Sequence, residues 1–234
     1  MINQKNDYIL VLGSKPNSKI PKIQVDSIFA ANGAAEIAKN YLNLFPKTIF
    51  TSVIGAREFE MNQEVQKRVL LSNPDILISR LGYLDHRKYE FELKTKFIFL
   101  SNFEQFKMQS QFFSLNMIDV LYCESFYERG FVKRIIHLYK SMKNNRLTGV
   151  STGFFSILYA LNKNPSKKII ISGIGMKGGG HYYNKISDRY TKRSFVDRKL
   201  ILNLKSEYRK RLYTTDEELS RNANLKFWEG KDFI

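Results

Sequence analysis

Tyr8-Ile9-Leu10-Val11-Leu12-Gly13-Ser14-Lys15-Pro16 is the stretch that decides how this chain folds. From Tyr8 to Leu12 every position is apolar, rather than every second one, which marks a strand buried on both faces. Gly13 ends the run and, having no Cβ, lets the backbone approach a ligand at the strand's carboxyl end. A strand covered on both sides needs helices above and below it. The remaining sequence is therefore expected to alternate strand with helix.

Seven further runs read as strands: Ser27 to Ala31, Thr48 to Val53, Asp75 to Ser79, Lys96 to Leu100, Asp119 to Tyr122, Lys168 to Ile174 and Arg211 to Thr214. Helical stretches separate them at Gly33 to Leu44, Phe59 to Leu71, Tyr127 to Lys143, Gly153 to Asn162 and Phe195 to Arg209. Within the third of these, Val132, Ile135, Ile136, Leu138 and Tyr139 recur three and four apart, which predicts one helical face buried in the core. A second small-residue turn, Ser151-Thr152-Gly153, opens the run Phe154 to Leu161, read as a buried helix whose unpaired N–H groups and positive dipole end suit an anion. The expected fold class is α/β, Rossmann-like, a mostly parallel sheet with helices on both faces. Residues 1–234 are read as a single domain with a glycine-rich active-site loop near 175–193. Ligands of such sheets sit beyond the carboxyl ends of the strands, where the strand order reverses.

Lysine and arginine number 38 against 22 aspartates and glutamates, a net charge of +16, which calls for an anionic partner such as nucleic acid or an anionic membrane leaflet. The 18 phenylalanines and 13 tyrosines fall mostly inside apolar runs instead of alternating with basic residues, which argues against a single-strand nucleic-acid platform. A basic run, Arg198, Lys199, Lys205, Arg209, Lys210 and Arg211, is expected to meet the membrane instead. No apolar stretch reaches the roughly 20 residues of a membrane span. The first seven residues lack the apolar segment of a signal peptide, so a cytoplasmic protein is expected, peripheral on the inner membrane. Cys123 is the only cysteine and reads as a buried structural thiol, which excludes an intrachain disulfide and a cysteine-based zinc site.

Small polar residues recur at strand ends: Gly13 and Ser14 after the first, Asn32 and Gly33 after the second, Thr51 and Ser52 at the end of the third, and Ser172 to Tyr183 after the seventh. Together they line a pocket. His181, in the glycine-rich segment, is the candidate proton acceptor because imidazole titrates near neutrality. Glu124, at the end of the sixth strand, is a candidate base or nucleophile. Glu58 and Glu60 read as helix-start acids, and His86 and His137 carry no expected chemistry.

Gly13-Ser14-Lys15-Pro16-Asn17-Ser18, then Ala31-Asn32-Gly33, then Ser151-Thr152-Gly153 with Ile170-Ile171-Ser172-Gly173-Ile174 after it, resemble the ordered signature of small bacterial sialyltransferases with one Rossmann-like domain. They are as similar to the transferases that add Kdo to the lipopolysaccharide inner core. The resemblance runs from about Tyr8 to Thr214. It implies a CMP-activated ulosonic acid as donor, a glycolipid or oligosaccharide acceptor, no metal and no other cofactor. Gly13 and Ser14 would then contact phosphate and ribose, Asn32 the donor, Thr152 and Gly153 the cytidine and, by a looser match, Ser52 the donor. Tyr182 would donate to the departing phosphate, as tyrosines do in that family. The chain departs from the pattern in two places. Gly175 stands where the sialyltransferases have an aspartate, and Lys192 with Arg193 occupies the neighbourhood of their acceptor-activating histidine, which makes Lys192 a further catalytic candidate. The alternative is a noncatalytic nucleotide- or nucleic-acid-binding protein on the same fold.

Overall fold

The computed structural model describes residues 7–80, 84–114, 130–133, 135–136, 139, 150–175 and 192–234, with the backbone alone at 102 and 192–195. Among them, β1 (Tyr8–Leu12), β2 (Ser27–Ala31), β3 (Ile49–Gly55), β4 (Ile76–Arg80), β5 (Lys96–Leu100), β6 (Lys168–Ser172), β7 (Leu212–Thr214) and β8 (Lys226–Phe227) form one sheet. Its order is β5-β4-β3-β2-β1-β6-β7-β8, and every neighbouring pair is parallel. The fold is α/β and Rossmann-like, as the unbroken apolar run of β1 requires.

The chain builds outward from β1 to β5, then returns to place β6 on the other side of β1. Right-handed crossovers made in opposite directions deposit their helices on opposite faces. Accordingly α1 (Ala35–Leu44), α2 (Ala56–Met61) and α3 (Gln63–Ser72) cover one face, where Leu10, Leu12, Ile28, Phe50, Ile54 and Leu77 are buried. The other face, with Ile9, Val11, Phe29, Val53, Ile78 and Ile171, is covered by α4 (Asn102–Ser110), α5 (Thr152–Lys163), α6 (Lys192–Leu202) and α8 (Glu217–Ala223), with the short α7 (Ser206–Arg209) beside them. Alternate residues of β1 thus enter two different cores. In α5 the residues from Phe154 to Leu161 are all buried, each large apolar side chain contributing about 1.5–3 kcal/mol.

Several boundaries differ from the sequence reading. The third strand runs on to Gly55, because Ile54 and Gly55 still pair with Ser79 and Arg80 of β4. The helix read from Phe59 to Leu71 breaks at Asn62, whose backbone is extended (φ −116°) and whose side chain caps α3 by accepting from Val65 N. The basic helix read from Phe195 to Arg209 also breaks, where Leu204 turns inward and bridges to Phe113. Of the five residues expected in the core, Val132, Ile135, Ile136 and Tyr139 are exposed, since the core on either face of the sheet is filled by other helices, and Leu138 lies outside the described residues. The strand read at Asp119 to Tyr122 and the thiol of Cys123 lie outside the described residues. No helix among the described residues is long and apolar enough to cross a membrane.

Candidate functional site at the reversal of strand order

The reversal falls between β1 and β6, and their carboxyl ends are stitched together. Gly13 N donates to Ser172 O at 2.8 Å, Lys15 N donates to Gly173 O at 2.8 Å, and Ser172 Oγ donates to Lys19 O at 2.8 Å. A Cβ on Gly13 would lie 2.7 Å from the Gly173 carbonyl carbon and closer still to its oxygen. Gly173 itself has φ +72°, and a Cβ there would lie 2.9 Å from both the Gly13 carbonyl carbon and Ser18 Oγ. Glycine at both positions is therefore required by two chain segments in contact. That contact alone accounts for glycine at Gly13, whatever else approaches it. The adjoining Ser14 is buried, and Lys15 pairs with Asp216, which caps α8 by accepting from Leu219 N. The turn after β1 is thus held at both ends by packing and charge.

The rim continues along the carboxyl edge. Asn32 adopts the left-handed conformation (φ 49°) just after β2, and its Oδ1 accepts from Gly55 N at 3.2 Å. A Cβ on Gly55 would lie 3.6 Å from Thr152 Oγ1, in ordinary contact, so the end of β3 abuts the start of α5. Ser151 caps that helix by accepting from Phe154 N at 3.1 Å, and Phe155 N donates to Ser151 O at 2.9 Å. The N–H groups of Thr152 and Gly153 are left with no acceptor inside the helix. Gly153 in turn faces Ile174, which lies against Gly13. Gly13, Ser14, Asn32, Thr152 and Gly153, drawn from three separate parts of the sequence, therefore meet along one edge. Gly55, which the sequence reading did not select, completes it.

A buried guanidinium fixes the angle at which α5 enters. Arg80, wholly buried at the end of β4, donates from Nη1 to Ser151 O at 2.9 Å, from Nη2 to Val150 O at 3.1 Å and from Nε to Gln105 Oε1 at 3.2 Å. It also lies over the Phe155 ring, 4.4 Å from its centroid. Asp197 of α6, also buried, accepts from Ser151 N at 3.0 Å. Ser151, the residue that begins the helix, is bracketed by a carboxylate on its N–H and a guanidinium on its C=O. Sequence reasoning missed both. The available signal was an arginine ending a short strand that opens on the apolar run Ile76-Leu77-Ile78.

Other expected residues fall elsewhere. Ser52 lies three residues before the end of β3, fully buried on the face that carries Phe50 and Ile54, and its hydroxyl has no hydrogen-bond partner among the described residues. Because β3 extends to Gly55, Ser52 is inside the strand rather than on the rim. Glu58 sits in α2 with Oε1 accepting from Asn62 Nδ2 at 3.0 Å, a helix-end contact. His86 stacks on Phe97 with ring centroids 3.9 Å apart. Glu124, His181 and Tyr182 lie outside the described residues. Lys192 opens α6, and its side chain is not described. Next to the rim, Lys15, Gly175, Arg198, Asp216, Glu218 and Asn222 border a depression with about 270 Å³ of empty space, part of it open to solvent. Its border includes Gly175, three residues after the end of β6. No family model, curated protein or solved structure matches the chain.

Proposed function

We propose that the chain is a glycosyltransferase that moves an ulosonic acid, Kdo or a sialic-acid-like sugar, from its CMP ester to a glycolipid or oligosaccharide acceptor. The supporting observation is convergence: Gly13-Ser14, Asn32 and Thr152-Gly153, far apart in sequence, line one edge at the reversal of strand order. Ligands of open parallel sheets bind there. Two N–H groups at the start of a buried helix suit the single phosphate or the cytosine carbonyl of a CMP ester. With its Oδ1 engaged by Gly55, Asn32 offers Nδ2 as a donor to the ligand.

In the transfer, the acceptor hydroxyl forms a bond to the anomeric carbon as the bond from that carbon to the CMP phosphate oxygen breaks. The hydroxyl proton passes to a base, for which His181 is the first candidate and Glu124 and Lys192 the next, and Tyr182 donates to the departing phosphate. Thermal unfolding with CMP, UDP and GDP tests the reading. CMP at about 100 times its dissociation constant adds about 2.7 kcal/mol, with or without divalent metal. Equal shifts from all three nucleotides would refute it. The net charge of +16 favours a second reading, a noncatalytic nucleic-acid binder, which predicts salt-sensitive binding of single-stranded DNA with no CMP effect.

A further inference from the structure

Residues 131–133, 135–136 and 139 are helical and stand clear of both cores. Five large apolar side chains among them are exposed: Phe131 at 78%, Val132 at 68%, Ile135 at 45%, Ile136 at 47% and Tyr139 at 65%. At about 100° per residue, Phe131, Ile135, Tyr139, Val132 and Ile136 follow one another around an arc of about 140°. They form one continuous apolar face, which on a folded chain marks an interaction site. Lys133, exposed in the same turn, falls on the opposite side of the helix.

The charge of the sequence that carries this face selects its occupant. From residue 129 to residue 146 the sequence carries Arg129, Lys133, Arg134, Lys140, Lys143 and Arg146 and no acidic residue. A second copy of the chain would bring the same cationic stretch of sequence, on a body of net charge +16, against itself. An anionic bilayer takes both features: the headgroups meet the cations, and the apolar face with its phenylalanine and tyrosine enters the interfacial layer. The long basic run near the carboxyl end is less suited to that task. Arg209 donates to the Leu202 and Leu204 carbonyls and Arg211 to those of Lys167 and Asn164, so both guanidinium groups serve the fold.

We infer that the helical residues 131–133, 135–136 and 139 belong to a membrane-docking element that meets an anionic leaflet with Phe131, Ile135, Ile136 and Tyr139 inserted. The inference rests on the proposed function only for its purpose, access to a membrane-borne acceptor. The test is cosedimentation of the full chain with phosphatidylcholine vesicles that contain or lack phosphatidylglycerol, for the parent and for a variant carrying Ile135→Asn and Ile136→Asn. The parent should bind the anionic vesicles, less tightly as salt rises, and the variant should bind at least about tenfold more weakly. Because these side chains are exposed, the variant should melt with the parent in vesicle-free buffer and show the same CMP shift as the parent. Undiminished vesicle binding by the variant would overturn the inference. So would a parent that self-associates through this face and ignores vesicles, or a variant whose melting falls by several degrees, which would mean that the face is packed against the protein. Vesicle binding by a parent that shows no CMP-specific shift would sink the transferase reading and leave the docking element standing.

Discussion

Arg80→Met isolates the device that holds the start of α5. The substitution keeps an unbranched apolar stem of similar reach and removes three charge-assisted hydrogen bonds, to Ser151 O, Val150 O and Gln105 Oε1, together with the contact over Phe155. Arg80 is fully buried, so water does not replace the guanidinium, and each group left unsatisfied costs about 1–3 kcal/mol. Hydrogen bonds to a charged group contribute about 1.5–3 kcal/mol each, and relief of the guanidinium's own desolvation offsets part of their sum, so about 4 kcal/mol is the expected loss. At about 2–4 °C per kcal/mol for a chain of this size, melting should fall by about 8–16 °C. Urea unfolding gives the free energy, and hydrogen exchange gives its location. Exchange at Ser151, Phe154 and Phe155, whose N–H groups are bonded at the helix start, should rise before that of β1 and β6, because the lost contacts hold the helix start and not the sheet. Arg80→Lys should recover only part of the loss, since an ammonium cannot present the fork that meets two successive carbonyls. A loss below about 1 kcal/mol for Arg80→Met would refute the anchoring of α5 by this guanidinium.

Gly13→Ala and Gly55→Ala should separate steric need from rim position. The first forces a Cβ into the Gly173 backbone and should cost about 1–3 kcal/mol or more in urea unfolding, whereas the second makes only contacts of 3.6 Å or longer and should leave stability within about 1 kcal/mol of the parent. Thr152→Val should weaken CMP binding by about 1 kcal/mol, read by titration calorimetry. His181→Ala should keep the CMP shift while lowering sugar transfer about 100-fold, and transfer at the parent rate would remove His181 from the mechanism. Burial raises the phenol of Tyr159 above its ordinary value of 10.0. Its neutral form therefore contributes stability that is complete below about pH 10 and lost as pH climbs through the raised value, and Tyr159→Phe should flatten the decline in melting temperature over that alkaline range.

What the sequence disclosed and what it hid follow from the range of the interactions involved. β1 after Tyr8, β2, and α5 from Phe154 to Leu161 are buried without a break, so their identity is written in contiguous apolar residues and needs no knowledge of neighbours. The break at Asn62 depends on one side chain capping the next helix inside a run whose apolar spacing continues across it, and spacing alone does not register a cap. β8 has two residues, too few to carry a period. Among the site residues, Asn32 and the Ser151-Thr152-Gly153 turn were legible because left-handed backbone and helix capping select residue types locally. Gly13 was legible as a glycine, but the group that approaches it, Gly173, is supplied by a strand that arrives only when the sheet closes. Arg80 was hidden for the same reason, since its partners Val150 and Ser151 lie some seventy residues away in the chain. The helix around 131–139 shows the converse. Its three-and-four spacing establishes that an apolar face exists, but it does not establish that the protein's own core covers that face. Reading the face as core supplied a partner that is not found among the described residues. An exposed apolar face in a cationic stretch of sequence is the ground for proposing a partner outside the chain, which is why its test is a vesicle and not a core substitution.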